Sequence, residues 1–181
     1  AANEPESETK ALLMLGRVYA AKEDKTNAAY YFDRAIAADP KEAEAYYRRG
    51  VIKYADADYQ EAVNDFYMAN ELNYNSTKAL YYLSLSYENL NNTAAALQAA
   101  LDAFEKDSSS YDACFQAGRM YYAAEQYQNA VNMYNKVLEI KPGDKYSLLN
   151  KALAFDASGA KDSALIAYNK VPEIDPDYAL A

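Results

Sequence analysis

The sequence predicts an all-α fold made of tandem pairs of antiparallel helices. The first observation is a strict internal period, because steps of 34 residues lead from Ala28 to Ala62, Ala96, Ala130 and Ala164. The second is that two amphipathic stretches, separated by a short polar break, alternate within each period. A fixed period of this length is typical of a repeat array, whose stacked units bury one continuous core. Repeat arrays mostly bind other proteins.

Composition supports a single elongated domain and excludes some partners. Of the 181 residues, 51% are hydrophobic and 25% are charged, which is the globular range. The net charge of -9 disfavours general binding to nucleic acid or to anionic membrane surfaces, which requires clustered Lys and Arg. No apolar run approaches the roughly 20 residues of a membrane span, so direct membrane insertion is not expected.

The sequence does not specify the cellular compartment. The single cysteine, Cys114, excludes an internal disulfide and does not distinguish a reducing from an oxidising environment. The chain begins at Ala1, which fits either a processed mature start or a boundary within a longer protein. We expect a soluble chain, either cytoplasmic or exported after removal of an N-terminal signal.

The period divides the chain into five repeats between two short tails. In the first repeat, the residues from Leu12 to Tyr19 give one apolar face, and those from Ala28 to Ile36 give a second. Lys22 to Lys25 form the polar break, and Pro40 ends the second helix. The predicted segments are an N-terminal tail 1–8, repeats 9–42, 43–76, 77–110, 111–144 and 145–178, and a C-terminal tail 179–181. The C-terminal tail resembles the start of a further, truncated helix.

The later repeats keep this pattern with individual departures. In the second repeat Tyr74 replaces the terminal proline, so the helix break there depends on Asn73 and Asn75. The third repeat is the weakest match, since Ser84 replaces the glycine and Ala100 the aromatic residue. The fourth and fifth repeats restore the proline and most of the apolar positions. Their matching residues are Gly118, Tyr121, Tyr127, Ala130, Tyr134, Pro142, Phe155, Ala164, Tyr168 and Pro176.

This pattern resembles the tetratricopeptide repeat, a helix-turn-helix unit with small residues where its two helices touch. The residues that carry the resemblance in the first repeat are Leu15, Gly16, Tyr19, Ala28, Phe32, Ala35 and Pro40. The resemblance covers residues 9–178 and implies a right-handed α-solenoid whose first helices line a concave groove. It also implies a non-catalytic scaffold that holds a peptide or a partner helix in that groove.

Several groove positions of the family carry tyrosine, phenylalanine or arginine in this chain. These residue types are common in interaction hot spots, because they combine a large contact area with a polar group. The structural alternative is that the tyrosines serve repeat packing. The predicted groove residues are Arg17, Tyr47, Arg48, Tyr54, Tyr81, Tyr82, Phe115, Arg119, Tyr122 and Tyr146.

Some members of the family bind acidic chaperone tails through a carboxylate clamp, and this sequence departs from that pattern. Of the five clamp positions, which here are Leu13, Arg17, Arg48, Lys78 and Tyr82, only Lys78 matches. We therefore expect a protein or peptide partner with acidic and aromatic or apolar residues rather than a heat-shock chaperone tail.

The sequence does not predict catalysis, a metal or a cofactor. It contains no histidine, so neither a His-based metal site nor a Ser-His-Asp or Cys-His arrangement can form. No glycine-rich phosphate loop is present. Cys114 stands at a position that the family fills with a buried residue, which favours a structural thiol over a reactive one.

The alternative function is structural. No polar capping helix follows Pro176 in the sequence, although a terminal repeat normally needs one. This end could therefore belong to a fragment of a longer array, or could support self-association by stacking through the uncapped C-terminal repeat. In either case the chain would act as a spacer or assembly module.

Overall fold

The computed structural model describes residues 4–174, and they form helices joined by short turns. The prediction of an all-α fold made of tandem antiparallel helix pairs is confirmed for this range. The helices are α1 (Glu4–Ala21), α2 (Lys25–Ala38), α3 (Ala43–Ala55), α4 (Tyr59–Glu71), α5 (Ser76–Asn89), α6 (Thr93–Lys106), α7 (Tyr111–Ala123), α8 (Tyr127–Ile140), α9 (Lys145–Ala157) and α10 (Lys161–Ile174).

The chain divides into two compact units, of which unit 1 comprises residues 1–92 and unit 2 residues 93–181. In unit 1 each helix from α1 to α5 packs on the next, and α3 also contacts α5. In unit 2 the same holds from α6 to α10, and α7 also contacts α9. Packing between successive helices is what a repeat array requires, since each element covers the apolar face of its neighbour.

Small residues stand where paired helices approach most closely. A Cβ atom built on Gly16 would lie 2.5 Å from Cε1 of the buried Phe32, and one on Gly118 would lie 2.7 Å from Cε1 of Tyr134. Ala152 is completely buried in α9. These contacts explain why the period keeps glycine or another small residue at this position.

The turn inside each repeat has a constant backbone geometry. One residue per turn has a positive φ angle, and the amide of the following residue donates to the carbonyl five residues earlier, as Asp24 does to Tyr19 at 3.0 Å. This 6→1 bond belongs to the Schellman ending of a helix. The residues with positive φ in these turns are Glu23, Ala57, Asn91, Glu125 and Gly159.

The N-terminal boundary differs from the sequence-based prediction, and the C-terminal boundary lies outside the described residues. Helix α1 begins at Glu4, so residues 4–8 of the predicted tail continue the first helix. The predicted terminal proline at position 176, the end of the fifth repeat and the tail 179–181 lie outside the described residues. Within residues 4–174, no helix is long and apolar enough to cross a membrane.

Candidate functional site

Three predicted groove tyrosines of unit 1 converge around one buried phenylalanine. Tyr82 stacks on Phe66, with ring centroids 5.2 Å apart and planes inclined by 14°. Tyr47 and Tyr54 meet Tyr82 edge-on at 6.4 and 5.6 Å. Phe66 is completely buried, whereas the three tyrosines are half-buried. We call Tyr47, Tyr54, Phe66 and Tyr82 the aromatic cluster; it joins α3, α4 and α5.

Two further tyrosines extend the aromatic cluster. Tyr81 lies edge-on to Tyr82 at 5.5 Å, and Tyr74 lies 5.7 Å from Tyr47. Burial raises the pKa of Tyr47 and of Tyr54, and the nearby Asn89 offsets part of this rise at Tyr54. Their hydroxyl groups are therefore neutral at physiological pH and can donate hydrogen bonds to an acceptor on a ligand.

The two predicted arginines of unit 1 share one carboxylate. Glu44 forms an ion pair with Arg48 one helical turn along α3, and its Oε1 atom lies 3.7 Å from Nε of Arg17 on α1. Tyr74 also interacts with Glu44 and Arg48, and burial raises its pKa. Two cations therefore share a single carboxylate, in a chain with a net charge of -9.

Phe115 of unit 2 lies within the packing of its own unit. Its ring stacks on Tyr111 at 5.8 Å with planes 8° apart, and it meets Tyr134 edge-on at 5.9 Å. Tyr134 is almost fully buried, and this burial raises its pKa. Burial and the nearby Asp144 raise the pKa of Tyr111 to about 12. Phe115 is half-buried, like the tyrosines of the aromatic cluster, and helps to hold α7 on its neighbours.

The other predicted residues of unit 2 are more accessible. Arg119 donates from Nη1 to Oε1 of the buried Gln116 at 3.1 Å, which fixes the guanidinium at the surface of α7. Tyr122 is 37% exposed and meets Tyr127 edge-on at 5.5 Å. Tyr146 is 56% exposed, the largest exposure among the predicted groove aromatics in the described residues.

Models of the tetratricopeptide repeat match most of this sequence. One matches residues 3–43 and 13–69, a second matches 78–109, and a third matches 121–181. The chain belongs to the tetratricopeptide repeat family. It is a helical-repeat scaffold for protein interaction, as the resemblance predicts.

A curated relative and several solved structures are similar to this tetratricopeptide repeat protein. The human mitochondrial import receptor subunit TOM70 is 26% identical over 154 residues, covering 79% of the chain and 25% of TOM70. The chain thus spans about a quarter of the length of that relative.

The solved structures share the fold. YrrB, a repeat protein of this family with an unusual peptide-binding site, matches with a TM-score of 0.85 and 22% identity over 93% of this chain and 87% of YrrB. MamA matches with a TM-score of 0.88 and 22% identity, over 96% and 95% of the two chains. MamA from Desulfovibrio magneticus RS-1 matches with a TM-score of 0.84 and 17% identity, over 94% and 96%.

In this tetratricopeptide repeat protein, reasoning from family positions missed Tyr74 as a neighbour of the aromatic cluster and did not predict that Glu44 pairs with two arginines. Glu44 links both arginines, and Tyr74 closes one side of the aromatic cluster. The available signal was that Tyr74 replaces a proline, because an aromatic residue at a turn position needs a packing partner. Within residues 4–174 no three potential metal ligands lie together; the absence of catalysis stays a prediction.

Proposed function

We propose that the aromatic cluster and its neighbouring arginines form a binding surface for a peptide segment or partner helix with acidic and aromatic or apolar residues. The observation that carries the proposal is the convergence of Tyr47, Tyr54 and Tyr82 beside a pair of arginines that share one carboxylate. Large, preorganised aromatic side chains lose little conformational freedom on binding, so their contact area contributes efficiently to affinity.

The charge arrangement favours an acidic group on the ligand. A ligand carboxylate placed near Arg17 and Arg48 would give the second guanidinium a partner of its own, and bidentate pairing of this type is strong and directional. Tyrosine hydroxyl groups of the aromatic cluster could accept or donate hydrogen bonds beside it.

The comparisons support polypeptide binding as a general role. YrrB has a peptide-binding site, and TOM70 is a subunit of an import receptor. In unit 2 we propose that Arg119, Tyr122 and Tyr146 form a separate contact surface, because they lie on first helices of the repeats, with both tyrosines exposed and Arg119 half-buried.

The test uses peptides selected from a displayed random library on the wild-type chain. Their affinities are then compared by fluorescence anisotropy for wild type, Arg48→Glu and the matched control Arg34→Glu. Arg34 lies on α2 and pairs with Glu8 at 3.5 Å, so the control changes the same charge in the same unit. We expect the selected peptides to be rich in acidic and aromatic residues. Arg48→Glu should weaken their binding at least about tenfold, whereas Arg34→Glu should bind them like wild type.

Two results would contradict the proposal. One is equal affinity of the two variants for the selected peptides, with circular dichroism showing that both are folded. The other is a selected set without acidic residues. Arg119→Glu, measured in the same assay, tests the surface of unit 2 independently.

A second candidate function, assembly by self-association, is favoured by the exposed apolar residues of α10. Leu165 and Ile166 are 61% and 62% exposed, which is unusual for adjacent large aliphatic side chains. If stacking uses this helix, light scattering will give a mass that rises with concentration, and Leu165→Lys will restore the monomer. A constant monomeric mass would remove this candidate.

A further inference from the structure

Unit 2 contains a cavity that the proposed function does not use. It has a volume of about 590 Å³ and is lined by residues of α8, α9 and α10 together with Pro142. Its apolar lining includes Leu138, Phe155 and Ile166, and two cations, Lys151 and Lys170, also line it. We call it the lysine cavity. Two cations in one cavity are unexpected in an acidic chain, and the repeat period shows how they arise.

The equivalent position in unit 1 is filled by a closed ion-pair network. Arg49 donates from Nε to Oδ2 of Asp65 at 2.8 Å and from Nη1 to Oδ1 of Asp33 at 2.6 Å. The side chain of Asp65 is only 4% exposed, so the guanidinium neutralises a buried carboxylate. Here the protein supplies both the cation and its anions.

Three repeat periods further along the chain, the cation is kept and both anions are lost. Arg49 corresponds to Lys151, whereas Asp33 corresponds to Asn135 and Asp65 to Ala167. Ala167 lines the lysine cavity. Replacement of a carboxylate by a methyl group therefore leaves space next to a cation that has lost its internal partner.

Among residues whose side chains the structure describes, no carboxylate neutralises the cations of the cavity. Neither Lys151 nor Lys170 forms an ion pair with any side chain that the structure describes. The Lys151 ammonium lies 5.8 Å from the centroid of the Phe155 ring. Burial and the positive charge of Lys170 lower the pKa of Lys151. An external carboxylate would relieve this repulsion.

We infer that the lysine cavity binds an acidic side chain of a partner peptide, with its carboxylate between Lys151 and Lys170. The residues flanking that side chain in the peptide are apolar and pack on Leu138, Phe155 and Ile166. The internal precedent is Asp65, which places a carboxylate against the equivalent cation in unit 1. This site is separate from the aromatic cluster and does not depend on it.

The experiment titrates the full chain, labelled with ¹⁵N, with the peptide acetyl-Leu-Leu-Glu-Leu-Leu-amide and with its glutamine analogue. The variants are Lys151→Gln with Lys170→Gln, and the control Lys161→Gln, which removes an exposed lysine from α10. We expect the glutamate peptide to shift the amide signals of α9 and α10 and to bind about tenfold more tightly than the analogue. The double variant should lose this difference and the control should keep it.

The substitution Ala167→Asp provides a second and stricter test. It places a carboxylate where unit 1 has Asp65, so it should pair with Lys151, exclude the glutamate peptide and raise the melting temperature. If this variant does not fold, Asn135→Asp, which restores the equivalent of Asp33, is the replacement. Equal binding of the two peptides, unchanged binding to the double variant, or no saturable shift in α9 and α10 would overturn the inference.

Discussion

At the scale of single residues, the turns show a conflict between backbone and side chain. All five turns within repeats need one left-handed residue, but only Gly159 is a glycine, the residue that adopts this conformation without steric cost. At Ala57 the φ angle is 64°, and this alanine is exposed. Its left-handed conformation therefore costs stability.

We predict that Ala57→Gly stabilises unit 1 and that Gly159→Ala destabilises unit 2, each by about 1 kcal/mol. A Cβ on Gly159 would meet nothing within 4 Å, so the effect there reports backbone strain alone. Urea unfolding measures both free energies. Ala55→Gly is the control, because the same change at the last residue of α3 should destabilise by up to about 1 kcal/mol. Equal signs at Ala55 and Ala57 would contradict the prediction.

The buried ion pair of unit 1 gives a second prediction at this scale. Arg49→Met should lower the free energy of unfolding by about 3–5 kcal/mol, since it leaves the carboxylate of Asp65 buried without a cation. Asp33→Asn should cost less than about 1 kcal/mol, because Asp33 is 58% exposed. Chemical denaturation at neutral pH compares the two variants.

The stability cost of Arg49→Met should depend on pH, because it depends on the charge of Asp65. Burial raises the pKa of Asp65 even with Arg49 in place, and removal of Arg49 raises it further. The folded state then binds more protons than the unfolded state above the ordinary value of 3.8, so stability falls as pH rises through that window. The cost of Arg49→Met should thus be smaller at pH 4 than at pH 7. A cost independent of pH would show that Asp65 is hydrated in the variant.

At the scale of elements, α9 begins at a buried cap. Asp144 accepts from the backbone amide of Ser147 at 2.9 Å and from its hydroxyl at 2.7 Å, and Lys141 lies 3.0 Å from its other oxygen. Tyr111 adds a further hydrogen bond. Burial alone would raise the pKa of Asp144, but these hydrogen bonds outweigh it and hold the pKa below its ordinary value.

We predict that Asp144→Ala destabilises unit 2 by about 2 kcal/mol, because it removes the cap and leaves the buried Ser147 hydroxyl without its acceptor. Asp144→Asn keeps an acceptor and should cost less at neutral pH. A carboxyl group whose folded pKa is depressed contributes stability above the unfolded value, and this is lost as pH falls through the folded value. The difference in the free energy of unfolding between wild type and Asp144→Asn, measured by chemical denaturation, should therefore shrink below about pH 4.

The control for the cap is Asp24→Ala at the start of α2. The Asp24 carboxylate accepts a hydrogen bond from the backbone amide of Asn27, three residues further on, at 3.1 Å. Unlike the buried Asp144, Asp24 is accessible to solvent. Thermal unfolding should show a smaller loss for this variant than for Asp144→Ala. A larger loss at Asp24 would mean that burial of the cap does not determine its contribution.

At this scale the sequence was a reliable guide to helices and a poor one to turns. Periodicity located the helix pairs because an amphipathic helix repeats its apolar face every 3–4 residues. The left-handed turn residues were not recognisable, since Glu23, Ala57 and Glu125 lack the glycine signal. The repeat period places residues 4–8 in a tail because the first repeat begins at residue 9, yet Glu6 and Lys10 form a pair at helical spacing within α1.

For the whole molecule, family positions predicted a set of aromatic groove residues but not how their rings pair. Family positions identified Tyr47, Tyr54 and Tyr82, and the structure places them together. The same positions gave Phe115, which packs inside unit 2. Pairwise contacts such as that of Glu44 with two arginines depend on side-chain reach between helices, which linear spacing does not specify. Whether any of these residues binds a partner stays a proposal.

The organisation of the whole chain leads to the last prediction. Because each helix within a unit packs mainly on its sequence neighbours, a destabilising change should spread over neighbouring helices and fade with distance along the array. In Gly118→Ala the new methyl group would lie 2.7 Å from the buried Tyr134 ring, which should cost about 1–3 kcal/mol. Hydrogen exchange should accelerate in α7, α8 and α9 and stay unchanged in α1 and α2.

The contrast with Gly143→Ala makes this test specific. A Cβ on Gly143 would meet nothing within 4 Å, so this variant adds the same methyl group to unit 2 without overpacking. Gly143→Ala should show the same amide hydrogen-exchange rates as wild type in all helices. If Gly118→Ala instead accelerated exchange equally in α1 and α9, the array would unfold as one cooperative body, and local stability could not be assigned to single repeats. A graded response would mean that the proposed binding surfaces of the two units can be weakened one at a time.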